Sequence, residues 1–348
     1  MAIKVLVVDD SALIRQILSE IIKSEPGMQL VGAAPDAFVA KKMVLEQGPD
    51  VITLDIEMPK VDGLRFLEVL MNARPTPVVM ISTLTEKGAQ ATLRSLELGA
   101  IDFVAKPKVG VAEGMAAYHK LIIDKIRTAA KSKVKKPHGS VAPTVNTVSY
   151  SGTEKLIAIG ASTGGTEAIK EVLMSFPANA PATVITQHMP PGFTSTYAKR
   201  LNSLCQMTVR EASGGERLLP GYAYLAPGDK HMEVERSGAD YRIRLTDGER
   251  VSGHKPSVDV LFESICKSAG SNALGVLLTG MGRDGAEGLH KMFNNSCETF
   301  CQDEASCVVF GMPKVAIEKG AAKHILPLDA MGKAIMQSVE KMAAGSRL

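Results

Sequence analysis

The chain has 348 residues, more than one ordinary hydrophobic core accommodates, so two domains are expected. Its 40 basic and 37 acidic side chains nearly cancel, which argues against nucleic acid or an anionic membrane as partner; the absence of Trp and 4% aromatic content leave few stacking platforms for single strands. No stretch reaches the roughly 18 unbroken apolar residues of a transmembrane helix. The first eight residues run straight into Asp9 and Asp10 without a secretory signal's apolar stretch, and five cysteines, an odd number, fit a reducing compartment. The expectation is a cytoplasmic protein that is not membrane-embedded.

In chain order, short β-rich runs at residues 4–8, 30–33, 51–54, 78–82 and 102–105 alternate with amphipathic helical stretches such as 11–24 and 37–47. Five βα units imply a parallel, doubly wound sheet with ligands at the carboxyl ends of its strands. Composition changes after about Arg127. A basic run from Lys131 to Pro137, followed by Gly, Pro, Ser and Thr as far as Thr153, reads as a solvated tether. The expected organisation is a domain at 1–125, a linker at 126–153 and a second domain at 154–348. That second domain restarts with a strand at 156–160, a helix at 166–176, a strand at 182–187 and a helix at 192–204. Residues 216–249 read as β-hairpins with Pro-Gly, Ser-Gly and Asp-Gly turns. A strand at 273–279 leads into a Gly-rich loop and another helix. This is again α/β, with an antiparallel hairpin insertion.

Acids and one lysine stand at the strand ends of the first domain. Asp9 and Asp10 follow the first strand, Asp55 ends the third, Ser82 the fourth, and Lys106-Pro107 the fifth. In a parallel sheet these ends meet on one edge. Clustered carboxylates repel unless a hard cation joins them, so Mg²⁺ is the natural occupant. Beside the metal, Asp55 is suited to attack a phosphoryl group, with Lys106 offsetting the developing charge. The same residues could be incidental acids in a nucleotide-binding α/β domain. As a set they resemble the receiver domain of two-component response regulators, a flavodoxin-like fold. The resemblance implies phosphorylation at Asp55, Mg²⁺ held by Asp10, Asp55 and the backbone carbonyl of Glu57 with Asp9 in support, and Ser82 and Phe103 as switch residues.

The second domain places Gly160-Ala161-Ser162-Thr163-Gly164-Gly165 between a strand and a helix, leaving the Ser162 hydroxyl exposed on a sharp turn. A hydroxyl needs a base to become a nucleophile. His188 ends the next strand, and Asp284 follows a third. His188 could take the Ser162 proton while Asp284 fixes its tautomer, and backbone N–H groups near Thr163 and Met281 are oxyanion-hole candidates. Alone, each motif has a plainer reading: a phosphate cradle at a helix N-terminus, a structural His, a turn with an Asp cap. The order Ser, His, Asp also differs from that of α/β-hydrolases, which would require His290 or His324 as base. Cys297, Cys301 and Cys307 match no tight zinc spacing.

The second domain resembles the catalytic domain of chemotaxis protein-glutamate methylesterases of the CheB type. The stretches that carry this are Ile159 to Thr166, Gln187 to Phe193, Leu225 to Gly228, Pro256 to Phe262, Thr279 to Gly282 with Asp284-Gly285, and Gln302-Asp303. The resemblance implies a Ser162–His188–Asp284 triad that hydrolyses glutamate γ-methyl esters on methyl-accepting chemoreceptors and deamidates selected glutamines. It implies no cofactor for hydrolysis and a chemotaxis histidine kinase as phosphodonor. It also implies a receiver that blocks the esterase site until Asp55 is phosphorylated. Residues 292–301 are more polar and Cys-rich than the family leads one to expect. A receiver coupled to a DNA-binding output is the main rival, but no helix-turn-helix or basic recognition stretch is present.

Overall fold

The computed structural model describes residues 2–83, 85–106, 112–134 and 155–345. The chain divides after Gly139 into two compact units. The first comprises β1 (Ile3–Val8), α1 (Ala12–Ser24), β2 (Met28–Ala34), α2 (Ala37–Gln47), β3 (Val51–Asp55), α3 (Gly63–Ala73), β4 (Val78–Ser82), α4 (Glu86–Glu97), β5 (Asp102–Ala105) and α5 (Ala112–Lys131). The sheet order is β2-β1-β3-β4-β5, with every pairing parallel. Both faces of the central strands are covered, so Val5 to Val8 and Val78 to Ile81 are continuous apolar runs rather than alternating ones. Four helices start on a side-chain cap: Ser11 accepts from the Ile14 N–H, Asp36 from Phe38 and Val39, Asp62 from Arg65 and Thr85 from Gly88. The chain therefore turns back over the sheet soon after each strand ends.

The boundary expected at residue 125 falls inside a helix. α5 continues to Lys131 because Ile122, Ile123, Ile126 and Ala129 keep one apolar stripe buried. Residues 126–131, expected in the linker, belong to that helix; residues 135–153 and Pro107 lie outside the described residues.

The second unit comprises β6 (Leu156–Ala161), α6 (Gly165–Met174), β7 (Ala182–Gln187), α7 (Phe193–Leu204), β8 (Thr208–Glu211), β9 (Tyr222–Leu225), β10 (His231–Ser237) and β11 (Asp240–Thr246). It continues with α8 (Val258–Ala269), β12 (Ala273–Leu277), α9 (Ala286–Asn294), β13 (Glu298–Gln302), α10 (Met312–Glu318), β14 (His324–Leu326) and α11 (Leu328–Gly345). Seven strands pair in the order β14-β13-β12-β6-β7-β9-β8, all parallel, and β10 and β11 form a separate antiparallel hairpin. The expectation of hairpins throughout 216–249 needs correction: β9 joins the main sheet, where Ala223, Tyr224 and Leu225 are fully buried. The cysteines of the Cys-rich stretch lie in the core, while its polar residues Asn294, Asn295 and Ser296 are exposed. Cys297, Phe300 and Cys301 are inaccessible, and the Cys297 thiol donates to the Gly270 carbonyl at 3.1 Å. Burial pushes the Cys301 thiol up to about 12, and it behaves as a small hydrophobe. Among the described residues no helix is long and apolar enough to cross a membrane.

Candidate functional site

In the second unit the strand order reverses at β6, which has β7 on one side and β12 on the other. A crevice forms at such a switch point beyond the carboxyl ends of the strands. Ser162 leaves β6, His188 leaves β7, and Asp284 lies on the loop after β12. Ala161 and Gln187 are register partners, and the His188 N–H donates to the Ala161 carbonyl at 3.2 Å. Ser162 and His188 thus depart from adjacent strands at the same level. The Ser162 backbone is pinned on both sides. Its N–H donates to Thr279 O at 3.0 Å, while its carbonyl accepts from Gln187 Nε2 at 2.9 Å and from the Gly165 N–H at 2.7 Å.

Two glycines are required here. Gly164 starts α6 with φ +78°, and a Cβ on it would lie 2.7 Å from Val308 Cβ. A Cβ on Gly280 would lie 2.8 Å from Ser162 Cβ. The segment Thr279-Gly280-Met281 therefore runs directly against Ser162, with the Thr279 hydroxyl donating to Thr163 O at 3.0 Å. This brings Thr163 and Met281 to the flanks of the serine.

His188 Nε2 lies 2.7 Å from Asp284 Oδ2. Asp284 is 1% exposed and collects three further donors: Val258 N–H on Oδ2 at 2.7 Å, and on Oδ1 the Ser257 hydroxyl at 2.7 Å and Asp259 N–H at 3.2 Å. These donors are the cap and first turn of α8, so the carboxylate sits in the positive end of a helix. Burial alone raises a carboxyl group; the His188 contact and the Ser257 and Val258 donors outweigh it and hold Asp284 well below its ordinary value. An ionised Asp284 only accepts, so Nε2 is the protonated nitrogen of neutral His188 and Nδ1 the basic one. Nδ1 is buried and has no hydrogen-bond partner. The acid arm of the constellation is closed and the Ser162–Nδ1 arm is open. The ring nitrogens also exchange the roles they have in serine proteases, where Nδ1 faces the acid. His290 lies on α9, and His324 pairs with Glu298 at 2.8 Å in the edge strand β14.

Sequence reasoning missed the support behind Asp284. Ser257 caps α8, and its N–H donates to His231 Nδ1 at 3.1 Å, while His231 Nε2 is held by Glu249 O at 2.8 Å. Pro256-Ser257 is a legible helix start. Nothing local says that its cap serves an acid 27 residues away.

In the first unit β1 lies between β2 and β3, again a switch point. Asp9, Asp10 and Asp55 place carboxylate oxygens within 4.8 Å of one another. Asp10 is exposed, whereas Asp9 and Asp55 are buried. Arg15 Nη1 donates to the carbonyls of Asp9 and Asp10 at 2.8 and 2.9 Å, which fixes the acidic turn. Lys106 Nζ donates to Asp55 Oδ2 at 2.7 Å and lies 3.3 Å from Asp9 Oδ2, an ion-pair contact that leaves that oxygen without a well-aligned hydrogen bond. Burial, opposed by Lys106 and reinforced by the Asp9 charge, pushes Asp55 up to about 6. Three crowded carboxylates with an under-bonded oxygen fit a hard divalent cation. Glu57 is exposed two residues past Asp55, and its N–H donates to Asp55 Oδ1 at 3.3 Å. The buried Ser82 hydroxyl is tied to α4, accepting from Thr92 Oγ1 at 2.7 Å and facing Gly88 O at 3.3 Å; Phe103 on β5 is 8% exposed.

Two family models match the chain: CheB methylesterase over residues 157–335 and response regulator receiver domain over residues 5–115. The protein-glutamate methylesterase/protein-glutamine glutaminase 2 of Pseudomonas aeruginosa is 55% identical over 349 aligned residues, covering 100% of both chains. The protein-glutamate methylesterase/protein-glutamine glutaminase of Escherichia coli strain K12 is 55% identical over 99% of each chain. Among solved structures, the CheB methylesterase catalytic domain of Thermotoga maritima matches with a TM-score of 0.52 and 36% identity, covering 53% of this chain and 98% of that one.

Proposed function

This chain belongs to the CheB methylesterase family and carries a response regulator receiver domain, and from that premise we propose that it hydrolyses glutamate γ-methyl esters on chemoreceptors under phosphorylation control. Deamidation of selected receptor glutamines is the companion reaction. The observation that carries the reading is the 2.7 Å contact of His188 Nε2 with a buried Asp284, formed beside Ser162 at the switch point of the sheet.

Ser162 Oγ attacks the γ-carbonyl carbon and its proton passes to His188 Nδ1. The amides of Thr163 and Met281 are our candidates to receive the developing oxyanion. Collapse of the tetrahedral intermediate expels methanol, or ammonia from a glutamine, which takes its proton from His188. Water then attacks the acyl-enzyme with Nδ1 again as base, releasing glutamate and restoring Ser162. Asp284, already held by four donors, stabilises the imidazolium without reorganising. One site serves ester and amide because both reach the same acyl-enzyme.

In the receiver Asp55 accepts the phosphoryl group from a chemotaxis histidine kinase. Asp10, Asp55 and the Glu57 carbonyl, supported by Asp9, would hold Mg²⁺, which supplies charge neutralisation for phosphoryl transfer. Lys106 adds a second positive group, and Ser82 and Phe103 relay the change. A cytoplasmic location follows from these partners. The test is methanol release from a methylated receptor fragment, with and without a phosphodonor. Ser162→Ala is expected to leave the fold intact and remove activity by several powers of ten. A folded variant keeping more than a few per cent would overturn the assignment of the nucleophile.

A further inference from the structure

One contact of His188 remains outside this mechanism. The His254 ring is stacked on it, with centroids 3.7 Å apart and planes 7° from parallel. His254 is half-buried and belongs to a short turn closed by two backbone bonds, Val251 N–H to His254 O at 3.1 Å and His254 N–H to Val251 O at 2.9 Å. Arg250 braces the same turn by donating to Gly253 O at 3.4 Å. Three residues later Ser257 donates to Asp284. One short segment thus touches both the base and the acid, the first on its face and the second on its edge.

The hydrogen bond to Asp284 fixes one atom of the imidazole but leaves the ring free to swing about that bond. Nδ1 has no hydrogen bond of its own to set its direction. A flat partner against the ring face removes that freedom. We infer that His254 is a positioning residue, an aromatic platform that sets the plane of His188 so that Nδ1 faces Ser162. A parallel π surface also shields the ring from water and stabilises the imidazolium formed when Nδ1 takes the serine proton. The role needs the face of the side chain, not its proton. This separates His254 from His188, and it rests on the reading of His188 as the base.

The test uses the full-length chain with a p-nitrophenyl ester, comparing kcat and KM for His254→Ala, His254→Leu and His254→Phe, with thermal melts as a control for folding. A misaimed base costs on the order of 10–10²-fold, as small misplacements of a reacting group do. For Ala and Leu that loss is expected in kcat with KM nearly unchanged, and Phe is expected to recover most of it. Full activity in folded His254→Ala would overturn the inference, as would Leu matching Phe or Phe falling to the level of Ala. If Ala fails to fold, the Leu and Phe pair decides alone. His188→Ala tests the underlying reading separately: an active His188→Ala removes the base itself, whereas an inactive one beside a fully active His254→Ala removes only the platform.

Discussion

Asp284→Asn separates the charge of the acid from its geometry. Its four donors form two groups. His188 Nε2 and Val258 N–H, both at 2.7 Å, meet Oδ2, while the Ser257 hydroxyl at 2.7 Å and Asp259 N–H at 3.2 Å meet Oδ1. An amide keeps one oxygen and turns the other position into a donor. Val258 N–H cannot reverse, but the Ser257 hydroxyl rotates and can accept. The amide nitrogen is therefore expected on the Ser257 side, opposed only by the longest of the four contacts. Its oxygen stays on His188, and the ring keeps Nε2 protonated. What disappears is the charge. A charge-assisted bond is worth about 1.5–3 kcal/mol net against about 0.5–1.5 for a neutral one, and developing imidazolium raises the stakes in a buried site. A loss of about 1–3 kcal/mol corresponds to a kcat fall of roughly 5–150-fold. In serine proteases the same substitution reverses the tautomer and costs about 10⁴. Steady-state ester hydrolysis at one pH, with melting curves alongside, distinguishes the cases. A loss near 10⁴ would show that the amide turned the other way and the donor argument is wrong. A loss below about threefold would mean that Asp284 serves α8 and not the base.

Three further outcomes are expected. Gly280→Ala puts a methyl 2.8 Å from Ser162 Cβ and 2.3 Å from Met312 Sδ; Met312 can yield but Ser162 cannot do so without moving the nucleophile, so kcat should fall on the order of 10²-fold, and activity within twofold of the parent would contradict that packing. Asp55→Asn should abolish labelling by acetyl phosphate, and chelation of Mg²⁺ should do the same to the parent chain, as read by phosphate incorporation. Asp259, 6% exposed beside Asp284, is raised from 3.8 to about 6 by burial and then by the Asp284 charge. The folded state thus binds its proton more tightly than the unfolded chain, and the ionised group costs stability above about pH 6, a cost that fades as pH falls towards 4. Asp259→Asn should therefore raise stability at pH 8 by up to about 3 kcal/mol, and by only about 1 kcal/mol at pH 4.5, in urea unfolding; equal gains at both pH values would remove Asp259 ionisation as the cause.

Much of the candidate site was legible because its residues are strand ends. A doubly wound sheet brings carboxyl ends to one edge whatever the intervening sequence. Asp9, Asp10, Asp55, Ser82 and Lys106 could thus be grouped before their contacts were known, as could Ser162, His188 and Asp284. The fold was less legible where pairing is non-local. Tyr222–Leu225 is flanked by turn signals like a hairpin strand, and only its burial on both faces marks it as an inner strand of a parallel sheet. Least legible were the groups that aim the side chains. A cap at Ser257 can be read from Pro256-Ser257, but its acid is chosen by the placement of α8 against the loop after β12. The His254 stack has neither period nor motif, because it depends on a turn of four residues lying over another strand's end. Sheet topology brings the chemical groups together; loop packing sets their angles, and those angles are properties of contacts between segments distant in the chain.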